Sequence, residues 1–222
     1  SRNLTMTRGA DEAIDCLMRA FCIPAVDNVV ICPPTFAMYA QSAMLQGVAM
    51  RSAMLDSNFG LDLAAIEKAV DANTKMIFVC SPNNPTANIM DGGAIQKLCE
   101  IYADTALIVV DETYIEFSDQ PSSIAKLDQF ANLVVLRTLS KSHAAAGLRC
   151  GAAVARGDVT SILQKVLAPY PLAAPVMHAA LTILKPENTA KLAEKRADIV
   201  TRRNGYAKEF AKLDDVKSVL PS

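Results

Sequence analysis

The sequence predicts an α/β fold of three layers, α/β/α, around a mostly parallel sheet of seven strands. Three observations carry this reading. Short runs rich in Val and Ile recur along the 222 residues, they are apolar almost throughout instead of alternating with polar residues, and helical patterns separate them. A strand that is apolar on successive residues is covered on both faces, and sheets covered in this way are largely parallel. With 51% hydrophobic residues, 20% charged residues and no Trp, the chain is globular, with an interior of small and aliphatic side chains.

Taken in order, Leu4–Thr7 reads as a short strand, and Arg8 to Glu12 as a turn into a helix with acidic residues in its first turn, where the helix dipole favours negative charge. Ile14, Leu17, Met18 and Phe21 then repeat at helical spacing. The apolar runs NVVIC, VAMRSAML, KMIFVC, ALIVVD, NLVVLRT and LRCGAAVA supply the remaining strands, with helical patterns such as LDLAAIEKAV and GGAIQKLCEIYA among them. Asn28 to Met50 carries no charge and reaches the roughly 20 residues a membrane span needs. Pro33-Pro34 and the polar Gln41, Ser42 and Gln46 favour instead a strand, a turn and a buried helix. The uncharged stretch from Val166 to Leu184 is likewise cut by Pro169, Pro171 and Pro175. From Pro186 to Asp215 the chain becomes a charged amphipathic helix, longer than the usual packed helix of about three or four turns.

Lysine plus arginine number 22 against 23 acidic residues, so no global field draws the chain to nucleic acid or to an anionic membrane. The six cysteines are scattered, form no C-x-x-C pair and mostly sit inside apolar runs, which reads as reduced, buried thiols of a cytoplasmic protein. No metal site is expected, and the opening residues lack the basic and then apolar stretch of a secretory signal.

Ligands of open α/β sheets sit at the carboxyl ends of the strands. The residues that follow the apolar runs are TRGAD, CPPTF, CSPNNPT, VDETY and RTLSK. Gly9, Ala10 and Asp11 open a helix whose free N–H groups can hold a phosphate, and Ser140 and Arg149 could add a hydroxyl and a bidentate cation. Asp111 stands at the tip of a buried strand, where it is either a functional carboxylate or the cap of the next helix. Lys141 is either a reactive amine or a solvated surface lysine. Tyr114 and Asn84 have the alternatives of a packed tyrosine and a turn former before Pro85, and Phe36 that of a core aromatic.

The joint pattern is more specific than any one residue. SPNNPT (Ser81–Thr86), DETY (Asp111–Tyr114), LSK (Leu139–Lys141) and GLR (Gly147–Arg149) occur in the order and approximate spacing of the fold-type I, class I/II aminotransferases that use pyridoxal 5′-phosphate (PLP). With RGADEAID, CPPTFAMY, DETYIEF, RTLSKSHAAAGLRCG and APYPL, the chain resembles the large-domain portion of histidinol-phosphate aminotransferases over essentially its whole length. That resemblance implies a PLP-binding large domain over residues 1–185, with a long interdomain helix and the start of a truncated C-terminal small domain over 186–222. It implies Lys141 as the Schiff-base lysine and proton carrier, and Asp111 as partner of the pyridine nitrogen. Tyr114 and Asn84 would bond the ring hydroxyl oxygen, Phe36 would stack on the ring, and Gly9, Ala10, Asp11, Ser140 and Arg149 would form the phosphate cup. The implied reaction is reversible amino transfer between histidinol phosphate and 2-oxoglutarate in histidine biosynthesis, by a homodimer with a small-molecule amino donor and keto acid. The alternatives within the fold are an aminotransferase for aromatic or other amino acids and a threonine-phosphate decarboxylase. A PLP-binding domain inactive on its own is a third possibility, because the family's N-terminal arm, its small domain and the substrate arginines these carry have no counterpart in the sequence.

Two positions depart from the family pattern: Phe36 stands where tyrosine is usual, and Ala87 replaces the glycine of NPTG, at a turn where positive φ would strain it. His143 is read as a neighbour of the site instead of its acid–base group, and His178 as a partly buried helix residue.

Overall fold

The computed structural model describes residues 2–220. In chain order its strands and helices are β1 (Leu4–Thr7), α1 (Ala10–Phe21), β2 (Asn28–Ile31), α2 (Met38–Leu45), β3 (Ala49–Ser52), α3 (Leu63–Ala69), β4 (Thr74–Cys80), α4 (Gly92–Ile101), β5 (Leu107–Asp111), β6 (Leu133–Thr138), β7 (Gly151–Ala155), α5 (Gly157–Val166), α6 (Ala174–Ile183) and α7 (Pro186–Phe210). The strands form one seven-stranded sheet in the order β1-β7-β6-β5-β4-β2-β3. β3, β2, β4, β5 and β6 pair in parallel, and β7 runs against both of its neighbours, β6 and β1. The sheet is therefore mostly parallel with one reversed strand.

Alternate residues of each central strand serve two separate cores. Met76, Phe78, Val109, Val134 and Leu136 pack with Ile14, Leu17 and Met18 of α1 and Leu163 of α5. Ile77, Val79, Ile108, Val110, Leu133 and Val135 pack on the other face with Ile66 of α3 and Ile95 and Leu98 of α4. This two-sided burial is why β4, β5 and β6 read as continuous apolar runs. At about 25 cal/mol per Å² of apolar surface removed from water, these cores are the main favourable contribution to folding.

Three expectations need correction. β3 reads in the sequence as an apolar run of a sheet covered on both faces, but it lies at the sheet edge with all four residues exposed, and among the described residues nothing covers its outer side. The helix between β2 and β3 buries only Tyr39, Ser42 and Ala43, while Met44 and Leu45 face solvent, because α2 covers the sheet with one side alone. His178 lies in α6 but is exposed, since that helix buries only Ala180. All six cysteines are free and buried. Among the described residues no helix is long and apolar enough to cross a membrane, and no group of His, Cys, Asp and Glu is placed to hold a metal ion.

Candidate active site

Because β2, β4, β5 and β6 are parallel, their carboxyl ends share one edge of the sheet. The reversed β7 brings its amino end, with Arg149 just before it, to the same edge. A cavity opens there, lined by Ala10 and Asp11 of α1, Phe36 after β2, Cys80 and Asn84 at the end of β4, Asp111, Thr113 and Tyr114 at the end of β5, Thr138, Ser140 and Lys141 at the end of β6, and Ala146 and Arg149 before β7. Nine of the ten residues singled out from the sequence line it.

The floor is Asp111. As the last residue of β5 it shares the face of Val109, so its carboxylate turns toward the layer of α1 and α2 and is only 2% exposed. Two donors hold it: the Tyr39 hydroxyl donates to Oδ2 at 2.7 Å and the Thr113 N–H donates to Oδ1 at 3.0 Å. Burial pushes its pKa above the usual carboxylate range, and the hydrogen bonds from Thr113 and Tyr39 pull it back. Neighbouring Glu112 has the opposite parity and faces the other side of the sheet, where it accepts from the Ser123 N–H and Ser122 hydroxyl and pairs with Arg137. The DETY string thus divides its two carboxylates between two environments.

The walls come from two loops stitched together by Asn83. Its side-chain amide donates to the Pro34 carbonyl at 2.8 Å and to the Thr86 hydroxyl at 2.6 Å, and its carbonyl oxygen accepts from the Thr35 hydroxyl at 3.0 Å. The stretch carrying Phe36 is thereby fixed against the turn carrying Asn84. Opposite them, the β6–β7 loop closes through Leu139 N–H to the Cys150 carbonyl and Ala144 N–H to the Lys141 carbonyl. This loop presents Lys141 as an exposed amine, 5.7 Å from the centre of the Tyr114 ring.

At one end of the cavity the Arg149 guanidinium lies against the start of α1. It donates to Asp11 Oδ2 at 3.3 Å, to the Ser140 hydroxyl at 3.4 Å and to the Arg8 carbonyl at 3.5 Å. The helix has no side-chain cap at its N-terminus, so its first N–H groups, the Ser140 hydroxyl and the guanidinium converge as donors suited to a phosphate. Gly9, expected among the binding residues, does not line the cavity, and its own N–H and carbonyl are engaged with Thr7. Its contribution is steric: with φ at +86°, a Cβ there would come 2.7 Å from Arg149 Nη2. Asp11 carries a carboxylate that orients Arg149, which leaves its backbone N–H as its means of meeting an anion.

His143 is half-buried, its Nδ1 2.9 Å from the Ser142 hydroxyl, and it does not line the cavity. Burial lowers its pKa below the usual histidine value. Sequence reasoning missed Tyr39, Asn83 and Thr113. The signal for Tyr39 was its place three residues after Phe36 together with the rule that a buried tyrosine hydroxyl needs a partner.

The cavity thus offers a phosphate cup, an aromatic side wall, two hydrogen-bonding groups, an amine and a buried carboxylate, a set that fits a phosphorylated aromatic carbonyl compound. Comparison with known proteins gives the family. The chain is 44% identical over 217 residues to histidinol-phosphate aminotransferase 2 of Mannheimia succiniciproducens, covering 98% of the chain and 61% of that protein. It is also 44% identical to the histidinol-phosphate aminotransferase of Pectobacterium atrosepticum, covering 98% of the chain and 60% of the relative. The chain thus spans about three-fifths of these relatives' length. Among solved structures, the histidinol-phosphate aminotransferase of Clostridium acetobutylicum superposes with a TM-score of 0.88 at 22% identity, over 99% of this chain and 64% of that one. An aspartate aminotransferase double mutant of Thermus thermophilus does so with a TM-score of 0.88 at 21% identity, over 100% of this chain and 59% of that one. At these identities the superpositions establish the fold. Aminotransferase class I and II is the family that matches residues 1–222, and the chain belongs to it.

Proposed function

We propose that the cavity at the strand ends holds PLP and that the protein is an aminotransferase exchanging the amino group between histidinol phosphate and 2-oxoglutarate. The observation that carries this reading is the gathering of Lys141, Asp111, Asn84, Tyr114, Ser140 and Arg149 around one cavity. The histidinol-phosphate substrate rests on the names of the 44%-identical relatives.

When bound, the cofactor supplies an electron sink for the charge left on a substrate α-carbon as its proton departs. Arg149, Ser140 and the N–H groups at the start of α1 hold the phosphate. Phe36 would stack on the ring, adding about 0.5–1.5 kcal/mol beyond simple burial. Asn84 and Tyr114 would donate hydrogen bonds to the ring hydroxyl oxygen. Asp111 would pair with the ring nitrogen and, as an anion, would favour its protonated form. Lys141 would hold the cofactor through its amine, and the same amine, when free, would move the proton between the substrate α-carbon and the cofactor carbon.

On this reading residues 1–185 are the cofactor-binding domain, and α7 begins a second unit over 186–222. The protein works in the cytoplasm as a homodimer. Self-association is supported by the apolar side chains exposed around α6, with Tyr170 92%, Leu181 69%, Leu184 49% and Met177 47% accessible. The test is to mix the purified protein with PLP, reduce with borohydride and map the adduct, which is expected on Lys141. An adduct elsewhere, or none, would refute the site. Assay of the full-length protein with histidinol phosphate against phenylalanine then tests the substrate.

A further inference from the structure

We infer that Tyr39 is a positioning residue of this site: its hydroxyl aims the Asp111 carboxylate and keeps it ionised, while its ring seats the aromatic wall formed by Phe36. The inference rests on the PLP reading only for what Asp111 then does, since the coupling of Tyr39 to Asp111 is a property of the protein alone.

Tyr39 is fully buried on α2, on the face of the sheet to which Asp111 turns. Its ring stacks on Phe78 of β4 with centroids 4.9 Å apart and planes at 20°, which leaves the ring little freedom to tilt. Held in this way, the hydroxyl meets Asp111 Oδ2 at 2.7 Å, across 72 residues of sequence. On its other side the Tyr39 ring meets Phe36 edge to face, at 5.7 Å and 82°. A single side chain therefore touches both the carboxylate at the floor and the aromatic at the wall.

A carboxylate this buried tends to take up a proton, and a protonated Asp111 no longer offers a negative charge to a ring nitrogen. A hydroxyl that donates to the anion opposes this, and burial also raises the pKa of Tyr39 well above the usual phenol value, so the proton of the pair stays on the tyrosine. The Thr113 N–H on Oδ1 holds the other carboxylate oxygen and so sets the plane of the group, and the Thr113 side chain favours the anion together with Tyr39. The other titratable groups around Asp111 are the Cys80 thiol of β4, pushed up to about 12 by burial, and Asp11 of α1. Lys141, Tyr114 and Arg149 line the same cavity. Tyr39 is bonded directly to Asp111 from across the interior.

Tyr39→Phe keeps the ring and both aromatic contacts and removes only the donor. Apo-protein labelled with ¹³Cγ-aspartate, with the Asp111 resonance assigned by its absence in Asp111→Asn, reports the carboxyl pKa directly. Tyr39→Phe is expected to raise it by about one unit, the size expected for a lost hydrogen bond to a charged group. An unchanged pKa would overturn the inference. PLP titration followed by absorbance gives an independent arm. Tyr39→Phe should weaken PLP binding about tenfold in the presence of Asp111 and leave it unchanged in the Asp111→Asn background. Equal weakening in both backgrounds would make Tyr39 a packing residue and sink the proposal. If the unaltered protein takes up no PLP, the cofactor reading falls, while the carboxyl titration still decides whether Tyr39 governs Asp111.

Discussion

Ala87 adopts φ +63°, in the left-handed region where a Cβ crowds the following carbonyl, and its N–H closes the turn onto the Asn83 carbonyl at 2.8 Å. The turn is made despite the residue, because Asn83 anchors it at both ends. Ala87→Gly is therefore expected to stabilise the protein by roughly 1 kcal/mol, read as a higher urea midpoint at unchanged slope. A lower midpoint would mean that the lost entropy of the unfolded chain outweighs the relieved strain. Asp111 raises a different question at the same scale. Its folded pKa lies above the unfolded one, so between the two values the folded state holds the extra proton and unfolding releases it. The associated stability is complete below the unfolded value and is lost as pH rises through the folded one. Asp111→Asn is consequently expected to melt higher than the unaltered apo-protein at pH 7, with the gap closing as pH falls below about 3.9. Melts that differ equally at pH 3 and pH 7 would contradict this account.

At the scale of elements, β7 is the strand on which the site's geometry turns. It lies between β1 and β6, with Gly151 opposite both Thr7 and Thr138. A Cβ at Gly151 would stand 2.7 Å from the Gly9 carbonyl carbon and 2.8 Å from the Arg137 carbonyl oxygen, both of them backbone atoms that cannot rotate away. Gly151→Ala is expected to cost roughly 1–3 kcal/mol in urea unfolding and to weaken PLP uptake, because the displaced Gly9 carries the start of α1 with it. Retained stability with normal uptake would show that the strands have room to separate. The direction of β7 was not legible in the sequence. GAAVA is as apolar as the parallel strands of the sheet, and an apolar run records burial without recording strand direction. β4, β5 and β6 were legible because both of their faces are covered. The exposure of β3 was not legible, because Ala49 and Met50 are apolar and an edge position leaves them exposed all the same. Within the site, Lys141 and Asp111 each had an ordinary alternative reading, and only four ordered strings made them specific. Tyr39 and Asn83 stayed hidden because their partners lie 72 and 49 residues away, distances that no local pattern reports.

At the scale of the molecule, α7 stands apart from the two-core architecture. Its 25 residues include none that are buried, and a stripe of half-buried positions, among them Leu192, Arg196 and Val200, gives it its only inward face among the described residues. Burying side chains such as Leu or Val fully is worth about 1.5–3 kcal/mol each, and half-burial less, so α7 adds little to the stability of the sheet. It does reach the site: Arg196 Nη1 donates to the Ser142 carbonyl at 3.2 Å, one residue past Lys141. These facts separate two properties that a truncation ending at Lys185 would test together. The shortened chain is expected to melt cooperatively, a few degrees lower, at about 2–4 °C per kcal/mol lost. Its helical circular dichroism should fall by the contribution of α7. PLP uptake should persist but weaken by less than tenfold, since the β6–β7 loop loses the Arg196 clamp and keeps its internal bonds from Leu139 to Cys150 and from Ala144 to Lys141. A broad, non-cooperative melt would show that residues 1–185 do not fold as a unit. Full affinity in the shortened chain would show that the clamp does not order the loop that carries Lys141.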